Sequence, residues 1–142
     1  MVRAALPRGI ARRQGERPME EHPNATLARK WMKAMEDDNY EAMNDAMADD
    51  VEWHMIGAPE PVRGKAAMMQ SMGSLGDYEF SGNVHDVVAN DDHTIALVET
   101  TVTRGGKTIT YRTAEIMHIR DGKVTARWAF SDDTEAINRF FA

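Results

Sequence analysis

The stretch TITYRTAEIMHIRDGKVTARWAFSD, residues 108–132, decides the fold. Apolar and polar residues alternate on both sides of Asp121-Gly122, and this pattern predicts a β-hairpin with a tight turn. Glu115 interrupts the pattern, because it falls in the middle of the first strand on its inward face. A carboxylate there is costly to bury unless it is paired or takes part in chemistry. The hairpin therefore predicts a sheet and raises the question of a functional site.

The rest of the chain supplies further strands and a group of helices. Alternation and turn signals predict strands over 51–55, 78–88, 94–103, 107–119 and 123–131. Helical spacing predicts a helix capped by Asn24, a short second helix that ends at Asp49-Asp50, and helices over 65–75 and 134–141. Because helices and strands are segregated, the sequence predicts an α+β fold in which a curved, mostly antiparallel sheet wraps around the N-terminal helices.

Gly105-Gly106 predicts one strand register. A two-residue turn at these glycines pairs 102 with 109, 100 with 111, 98 with 113 and 96 with 115. That register places Glu115 on the same face as Tyr111. On the opposite face it sets Glu99 against Arg112, a sensible cross-strand ion pair. Both faces thus support the same register.

The Asp121-Gly122 turn leaves two registers open. A two-residue turn would bring Trp128 to the face of Glu115. A three-residue turn that includes Arg120 would instead pair 115 with 127, 113 with 129 and 111 with 131. We favour the three-residue turn, because it gives the Glu115 carboxylate a cationic partner in Arg127.

The two faces of the predicted sheet indicate two different roles. The inner face mixes aromatic, apolar and polar side chains, as small-molecule sites do. We expect Glu115 and Arg127 to be catalytic candidates, with ligand-binding walls from Trp53, Met55, Tyr111, Thr113, Met117 and Ala129. The outer face carries Leu97, Ala114, Ile116, Trp128 and Phe130. Since no predicted helix covers it, we expect a homodimer through this face.

Composition excludes several classes of function. The chain has 142 residues and a formal net charge of −6, and it has no cysteine. An acidic domain repels phosphate backbones, so we expect no nucleic-acid binding. The longest clean apolar run, IALV at 95–98, is too short to span a membrane. The histidines lack metal-ligand spacing and no cofactor fingerprint is present, so we expect no metal and no cofactor. We also expect a cytoplasmic protein.

The N-terminal segment differs in charge from the rest. Residues 1–18 carry five arginines and one acidic residue, which leaves about −10 for the remainder. They lack the apolar run of a secretory signal and resemble a transit peptide only faintly. We expect a basic disordered arm over 1–20, or an over-extended start with Met19 as the initiator, followed by one domain over 21–142.

Three segments carry a family resemblance. They are LARKWMKAMEDDNYEAMNDAMADDVEWHMIG at 27–57, PVRGKAAM at 61–68 and EIMHIRDGKVTARWAFSDDTEAINRFF at 115–141. Over residues 24–141 the chain resembles the nuclear transport factor two-like superfamily, and most of all its SnoaL-like and ketosteroid-isomerase-like domains. The resemblance implies a cystatin-like cone. It implies no single activity, since the superfamily includes isomerases, cyclases, hydratases, hydrolases and non-catalytic binding domains.

Carried over by position, the resemblance implies an incomplete catalytic set. The general base of ketosteroid isomerases corresponds to Met55, which cannot take a proton, and their oxyanion-hole Tyr corresponds to Trp31, whose indole N–H can still donate. Their oxyanion-hole Asp corresponds to Glu115, which in an apolar site can stay protonated and donate. In SnoaL-like cyclases, Glu115 matches an active-site His and Ala129 matches the acid/base Asp.

Two functional interpretations therefore remain open. In the first, the domain converts a small hydrophobic molecule bearing a carbonyl or hydroxyl group, as a cofactor-free isomerase, cyclase or hydratase, and Glu115 moves the proton. In the second, Glu115 is the structural partner of Arg127 and a poor base at neutral pH, and the domain binds ligand or dimerises without catalysis. His54 is expected on the outer face, since it alternates with Trp53.

Overall fold

Residues 20–142, the part that the computed structural model describes, form four helices and one six-stranded sheet. The helices are α1 (Pro23–Glu36), α2 (Tyr40–Asp45), α3 (Lys65–Gly73) and α4 (Thr134–Phe141). The strands are β1 (Met47–Trp53), β2 (Val62–Arg63), β3 (Glu79–Ala89), β4 (Thr94–Arg104), β5 (Lys107–Arg120) and β6 (Lys123–Ser131). The predicted α+β fold is confirmed. Residues 1–19 of the predicted arm lie outside the described residues.

The sheet has the order β2-β1-β6-β5-β4-β3. β1 runs parallel to β6, and all other neighbouring strands are antiparallel. The parallel pair sets Trp53 beside Arg127. An aromatic side chain on the face covered by the helices thus lies next to the last strand. α1 packs on the sheet through Ala25 and Ala28, which are both buried. Small residues at this contact let the helix backbone approach the strands closely.

Three helix boundaries differ from the sequence prediction, and one of them is the end of α3, which lies at Gly73 rather than at residue 75. Asn24 is not the cap of α1: the cap is His22, two residues earlier, and its Nδ1 atom accepts a hydrogen bond of 3.1 Å from the Asn24 backbone N–H. α2 ends at Asp45 and does not reach Asp49-Asp50. Met47 already pairs with Val124 of β6, so sheet pairing overrides the helical spacing of the methionines.

The predicted register of β4 on β5 is confirmed. Ala96 lies opposite Glu115 and Glu99 lies opposite Arg112, whose Nε atom is 3.3 Å from a Glu99 carboxylate oxygen. Gly105 and Gly106 both have positive φ, at 57° and 78°. A tight hairpin turn of this kind needs such angles at both central residues, and glycine adopts them without strain.

The predicted register of β5 on β6 is wrong. The turn has two residues, Asp121 and Gly122, and a bulge follows between the pairs Ile119–Val124 and His118–Ala126. Beyond the bulge, Glu115 lies opposite Ala129 rather than Arg127. The bulge adds one unpaired residue, Thr125, and thereby returns positions 127, 129 and 131 to the face of Glu115, as the favoured three-residue turn would have done. The hydroxyl of Thr125 donates to the His118 carbonyl oxygen at 3.2 Å.

The outer face of the sheet is partly open to solvent. None of its five predicted members is buried, and Phe130 is 64% exposed and Leu97 40% exposed. His54 lies on this side as predicted, with its ring stacked on Trp128 at 5.0 Å. Within residues 20–142, no helix combines the length and apolar character that crossing a membrane requires.

Candidate binding and active site

A cavity of about 730 Å³ lies between the sheet and the helices. Seven of the nine residues expected at the site line it: Trp31, Trp53, Met55, Tyr111, Thr113, Glu115 and Arg127. The other two do not. Met117 is fully buried in the core, and Ala129 is only partly buried but is not among the lining residues. The volume lies in the range of ordinary small-molecule sites.

Glu115 and Arg127 form an ion pair on the cavity wall. The Arg127 Nη2 atom donates to Glu115 Oε1. The side chain of Glu115 is only 14% exposed and that of Arg127 only 9%, so water screens this pair much less than the pair of Glu99 and Arg112. Charge-assisted hydrogen bonds of this kind are among the stronger ones in proteins. The sequence-based expectation that Arg127 would pair with Glu115 is met through a diagonal contact.

Arg127 is held by further contacts. Its Nη1 atom donates to the His54 carbonyl oxygen at 3.0 Å, and its guanidinium carbon lies 4.9 Å from the centre of the Trp53 ring. The Nε atom is buried and has no hydrogen-bond partner among residues 20–142. A cation over an indole ring gains additional electrostatic attraction. The guanidinium is therefore fixed in place by the protein itself.

Glu115 keeps one oxygen free. Oε1 is engaged by Arg127, whereas Oε2 has no hydrogen-bond partner within the described part of the chain and is not fully buried. An ionised carboxylate offers only acceptor sites. Oε2 is thus positioned to accept a hydrogen bond from a molecule in the cavity.

Tyr111 is a second polar group on the same strand face. The pKa of its phenol is raised from 10.0 to about 12, chiefly by burial and also by the negative charge of Glu115, while Arg127 counteracts part of the rise. The phenol is therefore neutral at physiological pH and able to donate. Its hydroxyl makes no hydrogen bond to another side chain in residues 20–142.

The comparisons with known proteins identify the family. The model of the SnoaL-like domain matches residues 28–127. The chain belongs to the SnoaL-like domain family. A comparison with curated proteins gave no match.

Three solved structures are similar to this SnoaL-like domain. A LEH-like epoxide hydrolase from M. tuberculosis is 14% identical with a TM-score of 0.73, covering 82% of this chain and 87% of that one. Bal32a, from a soil-derived mobile gene cassette, is 20% identical with a TM-score of 0.78, covering 84% and 97%. A protein of unknown function with a cystatin-like fold from Xanthomonas campestris is 22% identical with a TM-score of 0.75, covering 82% and 96%. At such identities the likeness shows the fold alone, and it confirms the predicted cystatin-like cone.

Two tryptophans of this SnoaL-like domain meet at the cavity. The rings of Trp31 on α1 and Trp53 on β1 are 5.2 Å apart and tilted by 46°. Both are buried, with exposures of 2% and 4%. Tilted aromatic contacts are favourable beyond the area that they bury. Trp53 thus connects the helix to Arg127 and helps to orient the ion pair.

The sequence prediction missed the contribution of α4. Ile137, Asn138 and Phe141 line the cavity of the SnoaL-like domain, and Thr100 does so from β4. α4 follows its cap residue Asp133, whose side chain accepts a hydrogen bond of 3.0 Å from the Ala136 backbone N–H. The apolar spacing of Ile137 with Phe141 was the available signal, because residues four apart share one helix face.

The described residues offer no metal site at the cavity, and His54 lies on the other face of the sheet. Among residues 20–142, no three histidine or carboxylate side chains come together as a metal ion would require. The His54 Nε2 atom lies 2.8 Å from a Glu52 carboxylate oxygen, on the opposite side of the sheet from the cavity, and His54 is not a lining residue. Of the side-chain carboxylates that line the cavity among residues 20–142, Glu36 and Asp38 are exposed and Glu115 is largely buried.

Proposed function

We propose that this SnoaL-like domain binds a small, largely hydrophobic molecule that carries a carbonyl or hydroxyl group. The observation that supports it is the Glu115–Arg127 pair on the wall of a cavity whose other walls include six methionine and seven aromatic side chains. Small-molecule sites typically combine an apolar wall with a few fixed polar groups. Methionine adapts to irregular ligands, which suits such a wall.

The same proposal includes cofactor-free acid/base conversion of the bound molecule. Glu115 Oε2 would take or return a proton, and Arg127 would hold the other oxygen and stabilise the negative charge. The reaction classes compatible with one carboxylate are isomerisation, cyclisation and hydration. The name of the M. tuberculosis protein adds epoxide hydrolysis as chemistry that one protein of this fold performs.

A second candidate function is a non-catalytic ligand-binding module. Two observations favour it. The family positions for catalytic carboxylates carry Met55 and Ala129, and the remaining carboxylate is bonded to Arg127. An arginine partner favours the ionised carboxylate and thereby weakens it as a base at neutral pH.

A ligand screen followed by turnover assays tests both candidates. Thermal shifts with steroids, polyketide-like ketones and terpenoids should identify a class that stabilises the protein. Glu115→Gln should then lower turnover by at least about a hundredfold, as expected for loss of an acid/base group. Glu99→Gln is the matched control, because Glu99 pairs with an arginine on the opposite, exposed face of the sheet.

Each outcome separates the candidates. Unchanged turnover in Glu115→Gln would exclude acid/base catalysis by this residue. Stabilisation by a ligand class without any turnover would favour the binding module. If no compound stabilises the protein and dilution unfolds it, a dimerisation module would be the better description.

We also propose that the domain is a homodimer through the outer sheet face and acts in the cytoplasm. The exposed Phe130 and Leu97 support the dimer, because large apolar side chains on an uncovered sheet face commonly mark subunit contacts.

A further inference from the structure

The inner surface of β5 presents a row of polar atoms that no other group satisfies. Glu115, Thr113 and Tyr111 alternate along the strand and all line the cavity. Their Oε2, Oγ1 and phenol oxygen atoms have no hydrogen-bond partner within residues 20–142, and none of the three atoms is fully buried. Unpaired polar atoms that face a cavity define what a ligand must supply.

We propose that the ligand is an uncharged molecule with two oxygens, a hydroxyl that donates to Glu115 Oε2 and a carbonyl or ether oxygen that accepts from the Tyr111 hydroxyl. The inference rests on the proposed binding function of this cavity and specifies the ligand class. It assigns Tyr111 as the residue that recognises the second oxygen.

The charge of the ligand follows from the contacts of Arg127. Its guanidinium is bonded to Glu115 and to the His54 carbonyl oxygen and lies against Trp53. The positive charge of Arg127 is thus neutralised inside the protein. The other two cations among the described residues that line the cavity, Arg29 and Lys33, are also paired: Arg29 with Glu21 at 2.7 Å and Lys33 with Asp37 at 2.8 Å. An anionic ligand next to Oε2 would meet a like charge in a poorly screened site. A cationic ligand would have to compete with Arg127 for the Glu115 carboxylate, and Arg127 is already held there by the protein.

The order of the two oxygens follows from the strand. Positions 111 and 115 are four residues apart on one face, which separates their Cα atoms by roughly 13 Å at the usual rise of a β-strand. The next residue on this face after Glu115, Met117, is fully buried and does not line the cavity. The part of the lining that β5 contributes therefore ends at Glu115, and the hydroxyl is expected at the Glu115 end of an elongated ligand.

The second oxygen of the ligand, a carbonyl or ether oxygen, is expected to lie near side-chain hydroxyl groups that can donate to it. Thr100 lies directly opposite Tyr111 on β4 and also lines the cavity. Because the phenol is neutral at physiological pH, it keeps its hydrogen and can donate it to an acceptor such as a ketone. Thr113, between the two ends, can serve either group.

A matched ligand series tests the proposal on the unmodified protein. Three androstanes carry a ketone on the A ring and, on the D ring, a hydroxyl, a methyl ether or a carboxylate. Dissociation constants come from quenching of the fluorescence of Trp31 and Trp53. The hydroxyl compound should bind about tenfold more tightly than the ether, which has no donor, and at least about tenfold more tightly than the carboxylate.

Two variants test the assigned residues. Glu115→Gln leaves the charge of Arg127 uncompensated, so it should reverse the preference in favour of the carboxylate, whereas Glu99→Gln should keep the wild-type order. Tyr111→Phe should weaken binding of the hydroxyketone about tenfold and leave unchanged the binding of a fourth androstane, which has the D-ring hydroxyl but no ketone. This second variant keeps the test decisive if Glu115→Gln does not fold.

The outcomes distinguish this inference from the function on which it rests. Equal binding of the hydroxyl and carboxylate compounds by the wild type would overturn the inference and leave the binding function in place. The same holds if Tyr111→Phe weakens both ketone and ketone-free ligands equally. Binding of none of the series would overturn the proposed function, and the ligand class with it.

Discussion

Arg127 reaches Glu115 along a diagonal of the sheet. The direct cross-strand partner of Glu115 on β6 is Ala129, and Arg127 itself lies opposite Met117. Diagonal neighbours on one face are within reach of a long side chain, and the small side chain of Ala129 leaves space over the carboxylate. The ion pair therefore depends on the bulge at Thr125, which places position 127 on the inner face.

The Glu115–Arg127 pair should be energetically stronger than the exposed pair on the other face. We expect a double-mutant cycle of Glu115→Gln with Arg127→Met to give a coupling energy of about 2 kcal/mol or more, since both groups are largely buried. The corresponding cycle of Glu99→Gln with Arg112→Met should give no more than about 1 kcal/mol. Urea unfolding at neutral pH measures both cycles. Equal coupling energies in the two pairs would show that burial adds nothing to the inner contact.

The two hairpins show how far the sequence determines the register. At Gly105-Gly106 the turn residues fix the pairing, because both glycines adopt positive φ and no bulge follows. At Asp121-Gly122 the turn is equally tight, but the extra residue Thr125 shifts every later pair. Thr125 has no distinctive sequence signal, since its unpaired position is set by strand β6 having to pair with both β5 and β1.

The candidate site was predictable to a similar degree. Side-chain alternation places Tyr111, Thr113 and Glu115 on one face of β5. A slip of β6 by two residues keeps Arg127 on that same face, so the wrong register still gave the right face. Asn138 could not be placed, because the docking of α4 on the sheet depends on tertiary contacts far from it in sequence. Met117 and Ala129 were expected in the cavity because alternation gives the face of a residue but not its depth.

The protein should lose stability at alkaline pH through Tyr111. Burial raises the pKa of Tyr111 from 10.0 to about 12, so the folded state retains a proton that the unfolded chain releases. The free energy of unfolding is therefore unaffected by this residue below about pH 10 and falls between pH 10 and 12, by about 1.4 kcal/mol at pH 11. Urea unfolding from pH 8 to pH 11 should show this fall in the wild type and a smaller one in Tyr111→Phe.

The control for the alkaline experiment is an exposed tyrosine. Tyr40 is 41% exposed at the start of α2, and Tyr40→Phe should follow the wild type over the same pH range. If Tyr111→Phe loses as much stability on raising the pH as the wild type does, the phenol of Tyr111 keeps its ordinary pKa and the description of its surroundings is wrong.

Gly57 should be intolerant of any side chain. Its φ is +76°, and a Cβ atom there would lie 2.0 Å from the Asn138 side-chain oxygen. Gly57→Ala is expected to destabilise the protein by roughly 1–3 kcal/mol, because the φ of Gly57 is positive, and to turn the Asn138 side chain away from its present position. Gly73 is the matched control, because it is helical and a Cβ atom there meets nothing within 4 Å. Gly73→Ala should be neutral or stabilise by up to about 1 kcal/mol, and a similar loss in both variants would contradict the clash.

A charge on the outer face should separate the proposed dimer. Phe130 is 64% exposed on the face of the sheet opposite the cavity, beside the pairing partner Ala114. Phe130→Glu would place two carboxylates in an apolar contact between subunits, which is strongly unfavourable, and the variant should be a monomer where the wild type is a dimer. Light scattering after size exclusion, at about micromolar concentration, measures the mass. Tyr40→Glu alters an exposed aromatic residue on α2 and should leave the dimer intact, whereas a wild-type protein that elutes as a monomer at every concentration would exclude the outer face as a subunit contact.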